Sequence, residues 1–126
     1  MGESSRGSGD EMFGVVVMKT LDLVLKRKWY DMIASGEKTE EYRAIKPYWV
    51  TRLTSLRCGS LLFSHRNGYQ PIPFKDFTHV TFHLGYSKDR PSMTFAIKEI
   101  VIDEGKEEWG ALPGETYFVI KLGERL

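Results

Sequence analysis

Between Gly36 and Arg43 the chain reads Gly-Glu-Lys-Thr-Glu-Glu-Tyr-Arg, so one amine, two carboxylates, a phenol and a guanidinium fall within the six residues Lys38 to Arg43. A lysine beside a carboxylate has two fates. Exposed, it makes an ion pair worth at most about 1 kcal/mol. Withdrawn from water, the same amine is tuned and can serve as a base or a nucleophile. The planar fork of Arg43 suits a phosphate or carboxylate ligand, or a structural pairing with Glu41. In a regular strand Lys38, Glu40 and Tyr42 face one way and Thr39, Glu41 and Arg43 the other. Lys38 and Glu41 therefore share a site only if the segment opens with a turn or contains a bulge, and Gly36 is placed to provide it. Most runs of Lys and Glu are solvated surface; this one becomes a candidate site through its density directly after a glycine.

The elements that must hold this segment are legible in the apolar pattern. Trp29, Met32 and Ile33 stand at i, i+3 and i+4, which predicts a short helix over Lys28 to Ser35, and Gly36 sits where a helix C-cap belongs. Pro47 suits the first turn of a second helix with Trp49, Leu53 and Leu56 on one face. Leu21, Leu23 and Leu25 alternate with Asp22, Val24 and Lys26, the period of a strand. Further strands are predicted over Ser60 to Ser64, Phe77 to Leu84, Met93 to Ile102 and Thr116 to Leu122, with an Asn67-Gly68 turn and Gly or Pro punctuation between them. The whole predicts a small α+β domain built on a partly open, mostly antiparallel β-barrel with two to three short helices. Trp29, Ile33, Trp49 and Leu53 are the expected buried anchors of the helices. Residues 1–17 are rich in Gly, Ser and charge and read as a flexible tail, leaving 18–126 as the domain.

Composition narrows the classes. The 126 residues suffice for one core and not two, and 41% apolar with 13% aromatic residues is a globular composition. No apolar run approaches a membrane span. The single Cys58 cannot form an internal disulfide and reads as a buried structural thiol, which fits a reducing compartment; the chain is expected to be cytoplasmic and monomeric. The net charge of +1 is unevenly spread. Residues 19–66 hold ten Lys or Arg against five Asp or Glu, whereas 1–18 and 67–126 are each at −2. In the basic half Lys26, Arg27, Lys28, Lys38, Arg43, Lys46, Arg52, Arg57 and Arg66 interleave with Trp29, Tyr30, Tyr42, Tyr48 and Trp49. That mixture serves phosphate pairing and base stacking. His79 and His83 fall in a strand pattern, about 13 Å apart, too far to share an ion. With no CxxC pair or Gly-rich phosphate loop either, neither metal nor cofactor is expected.

Gly36-x-Lys38-x-x-Glu41-x-Arg43 resembles the G-x-K-x-x-E-x-R signature of the ASCH domain, a small β-barrel family similar to the RNA-binding PUA domains. The flanks extend the likeness, from Leu21 through Pro47-Tyr48-Trp49 to Leu53 and again from Glu108-Trp109-Gly110 to Gly123. The resemblance implies a PUA-like barrel whose cleft binds RNA, a nucleotide or a modified nucleoside through Gly36, Glu40, Tyr42, Arg43 and Tyr48. It also implies an alternative, since some ASCH proteins are N4-acetylcytidine amidohydrolases and others are described as ribonucleases. In that case Lys38 is the base, with Glu41 as a second catalytic group. Glu41 stands where the amidohydrolase type has a threonine, and the assisting glutamate of that type has only Glu99 or Glu108 as regional counterparts.

Overall fold

The computed structural model describes residues 17–56 and 72–126. The Ser60 to Ser64 strand, the Asn67-Gly68 turn, Arg57, Cys58, Arg66 and residues 1–16 of the expected tail lie outside the described residues. In chain order the elements are β1 (Thr20–Leu25), α1 (Arg27–Ala34), β2 (Glu40–Ala44), α2 (Pro47–Leu53), β3 (His79–Leu84), β4 (Ser92–Glu104), a 3-10 turn (Glu107–Trp109) and β5 (Thr116–Arg125). The strands form one sheet in the order β1-β3-β4-β5-β2, curled into a half-barrel.

The curl has a local cause. β4 is thirteen residues long, and its pairing with β5 shifts register between Phe95 and Ile97 and again between Ile97 and Glu99. Such irregularities bend a strand and strengthen its twist. The first half of β4 pairs with β3 and the second half with β5, so the bend swings the two halves of the sheet towards each other. Three pairings are antiparallel as the sequence implies, but β1 and β3 run parallel. Parallel neighbours need a long crossover, and here it carries α1, β2 and α2.

Alternation in β1 buries Leu21, Leu23 and Leu25, which meet Val80, Phe82, Met93, Phe118 and Ile120 in one core cluster. The helices bury Ile33 and Leu53 as expected, but each is turned so that the residue after its tryptophan also points inward. α1 buries Tyr30 and Ile33, and α2 buries Val50 and Leu53. Trp29 and Trp49 are only half-buried, each about 100° round its helix from the neighbour that turns inward. α2 ends at Leu53, so Leu56 reaches the core from beyond the helix.

The half-barrel is tied across its open side by arginines. Arg43 in β2 donates from Nη2 to the Val24 carbonyl at 3.2 Å, and Arg52 in α2 donates to the Asp22 carbonyl at 3.0 Å. These carbonyls are two residues apart on β1 and so share one edge of the strand. The Trp49 ring lies against both guanidiniums, at 5.0 and 5.9 Å. His79 and His83 are both on β3 with separate partners, Thr78 and Asp22. Among the described residues no helix is long and apolar enough to cross a membrane, and no group of three metal-ligating side chains converges.

Candidate functional site

α1 closes on Ser35, and Gly36 follows with φ of +87°, the left-handed conformation that glycine adopts at little cost. This turn sends Lys38 back under the helix, where its backbone N–H bonds to the Met32 carbonyl at 3.0 Å. β2 begins only at Glu40, so Lys38 precedes the strand and is free of its alternation. The parity conflict is resolved by the turn, with no bulge in β2.

Lys38 is 1% exposed, one of the largest fully buried side chains among the described residues. Its Nζ donates to Glu41 Oε1 at 2.5 Å and to the Glu40 carbonyl at 2.7 Å. The ammonium also faces the rings of Tyr42 and Trp29, 5.4 and 5.5 Å from their centres. Arg43 Nη2 holds the other oxygen of Glu41, Oε2, at 2.8 Å. Glu41 is thus gripped by a cation on each oxygen, while Arg43 Nε is buried without a partner among the described residues. Burial pushes the Lys38 amine below its ordinary range, assisted by Arg43 and opposed by the attraction of Glu41 and Glu40.

Tyr42 links this cluster to the far end of the chain. Its hydroxyl donates to Glu40 Oε1 at 2.9 Å and accepts the Lys106 N–H at 3.0 Å, docking the 3-10 turn against β2. Burial, then the Glu40 hydrogen bond, raises the phenol above its ordinary value, against the opposing N–H of Lys106.

Above the cluster lies a cavity of about 120 Å³ lined by Trp29, Glu41, Tyr42, Trp109, Gly110 and Tyr117. Four aromatic residues share this lining with Glu41. Sites that enclose a whole small molecule start at about 300 Å³, so this one has room for a single ring or group and no more. Gly110 closes one wall: its φ is +101°, and a Cβ there would stand 3.0 Å from the Trp29 ring. Gly105 serves Tyr42 in the same way, since a Cβ would come within 2.8 Å of the phenol ring.

Of the expected site residues, Lys38, Glu40, Glu41, Tyr42 and Arg43 are brought together, but only Glu41 and Tyr42 line the cavity. Gly36 is exposed and shapes the turn. Tyr48 lies apart on α2, 62% exposed, edge-on to Trp49 and accepting a hydrogen bond from Arg52. It lines a separate, open depression of about 340 Å³ with Pro47, Thr51 and Arg52. Glu99 is on β4 beside Lys121, at 3.4 Å, while the exposed Glu108 is near enough to Tyr42 to help raise its pKa. Sequence reasoning missed Trp109, Gly110 and Tyr117 as cavity walls and assigned Trp29 to the core. The one available signal was Trp109-Gly110 itself, a large ring beside a residue that permits close packing. Compared with protein-family models, curated proteins and solved structures, the chain matches none.

Proposed function

We propose that this chain is an ASCH-type, PUA-like domain that binds RNA or a modified nucleoside by taking one base into the cavity over Glu41. The observation that carries this reading is the grouping of Trp29, Tyr42, Trp109 and Tyr117 in one cavity lining with Glu41, whose carboxylate is pinned at both oxygens. Aromatic faces stack bases regardless of sequence, and a carboxylate accepts from ring N–H or amino groups, which adds selectivity. Pinning by Lys38 and Arg43 fixes the acceptor before the ligand arrives, so little ordering entropy is lost on binding. The test is a titration with the four ribonucleosides, N4-acetylcytidine and short single-stranded RNAs, read by indole fluorescence. Saturable quenching that disappears in Trp109→Ala and weakens in Glu41→Gln supports the reading. Fluorescence that no probe alters overturns it.

A second reading, a hydrolase acting on RNA or N4-acetylcytidine with Lys38 as base, is favoured by the burial that lowers the Lys38 pKa. A base needs a neutral amine with a path to the substrate. Lys38 is sealed beneath the cavity, so its proton traffic would run through Glu41, which touches both. Mass-spectrometric assay of N4-acetylcytidine and RNA turnover decides. Full turnover by Lys38→Arg, which keeps charge and cannot act as a base, removes this role.

A further inference from the structure

We infer that the ligand is a nucleotide rather than a free nucleoside, with its phosphate leaving the cavity on the α1 side to meet Lys28. The inference rests on the base-in-cavity reading above and adds the charge distribution around the mouth. Trp29 and Trp109 wall the cavity from opposite ends of the chain, and each carries a lysine on its face. Lys28 Nζ is 4.7 Å from the Trp29 ring centre, and Lys106 Nζ is 4.4 Å from that of Trp109. An ammonium on an indole that walls the cavity is within a side-chain rotation of whatever stacks there.

The two sides differ in charge. Lys26, Arg27 and Lys28 are consecutive and all exposed, with Asp31 facing Arg27 at 3.7 Å. Residues 103–108 set Asp103, Glu104, Glu107 and Glu108 against the single Lys106, a net of −3. A phosphate is therefore attracted towards α1 and repelled from the 3-10 turn, over a range set by a screening length of about 8 Å. The acidic side and Glu41 face the donor edge of the base instead. The mouth is polarised, and a nucleotide is the ligand that uses both poles.

The experiment compares each ribonucleoside with its 5′- and 3′-monophosphates at fixed ionic strength, reading indole fluorescence. One monophosphate of the best-bound base is expected to bind on the order of tenfold tighter than its nucleoside, the scale of a charge-assisted contact. Lys28→Ala should abolish that gain and Lys28→Arg should keep it, with the logarithmic salt slope falling by roughly one in the alanine variant. The Glu107→Gln, Glu108→Gln double variant should preserve or raise the gain. Equal affinity for a nucleoside and both monophosphates, or a gain that survives Lys28→Ala, overturns the inference while leaving the base-binding reading intact. No response to any nucleoside or nucleotide overturns both.

Discussion

Arg43 and Val24 join the two edges of the sheet: the guanidinium of β2 donates to a main-chain carbonyl of β1 across the open side of the half-barrel, at 3.2 Å. The same Nη2 holds Glu41 at 2.8 Å. One side chain thus ties closure of the fold to the orientation of the Glu41 carboxylate.

Removing that tie should affect stability and binding together. Arg43→Ala is expected to lose about 2–4 kcal/mol in urea unfolding, because it leaves a carbonyl and a largely buried carboxylate short of a partner. Arg43→Lys should recover only part, since the shorter lysine side chain must bring its one ammonium to both the Val24 carbonyl and Glu41. A loss under about 1 kcal/mol for the alanine variant would show that the strand edges hold without it.

The lowered pKa of Lys38 gives a signed pH dependence. The unfolded chain keeps this proton up to an ordinary value of 10.5, whereas the folded protein releases it earlier. Between those two points the unfolded state binds more protons, so stability should rise with pH. Tyr42 acts in the opposite sense only above its ordinary 10.0, where its raised folded value makes deprotonation destabilising. Urea midpoints measured from neutral pH to just below 10.0 should therefore climb in the wild type and climb less in Lys38→Met. An unchanged slope in the variant would remove Lys38 as the source.

Tyr42→Phe deletes the hydroxyl between Glu40 and the Lys106 N–H. We expect about 1–3 kcal/mol of destabilisation and a red shift of Trp109 emission as the 3-10 turn loosens. Destabilisation without any spectral change would mean the turn is held by other contacts.

Trp29→Ala should separate cavity from core. A half-buried wall residue is expected to cost about 1–2 kcal/mol, less than Ile33→Ala on the buried face of the same helix at about 2–4 kcal/mol. Ligand binding should fall only in the tryptophan variant. The reverse order of stability losses would return Trp29 to the core.

What the sequence made legible was local. Leu21, Leu23 and Leu25 marked β1 by period alone, and the three C-terminal strands fall within a few residues of their predicted bounds. The cluster at Lys38 to Arg43 was visible because its members are neighbours in the chain. Its walls were not, since Trp109 and Tyr117 reach Trp29 and Tyr42 only through the sheet's β5·β2 pairing and the Tyr42 to Lys106 bond. Helical spacing identified which residues near Trp29 were apolar but not which was turned inward, because Trp29 and Tyr30 are adjacent and docking chose Tyr30. Arg43 and Arg52 looked like phosphate ligands for a related reason. Whether a guanidinium meets a ligand or an orphan carbonyl depends on where an edge strand ends up.

The parallel alignment of β1 with β3 sets how this chain must reach its native state. Each β1 residue pairs with one fifty-nine positions later, from Thr20 with His79 to Leu25 with Leu84. Contacts that distant carry a large loop-closure cost and form slowly. During synthesis β1 emerges well before its partner, with Leu21, Leu23 and Leu25 still open to other apolar surfaces. Refolding should accordingly be slow for a domain of this size, and most prone to aggregation in the interval before β3 arrives.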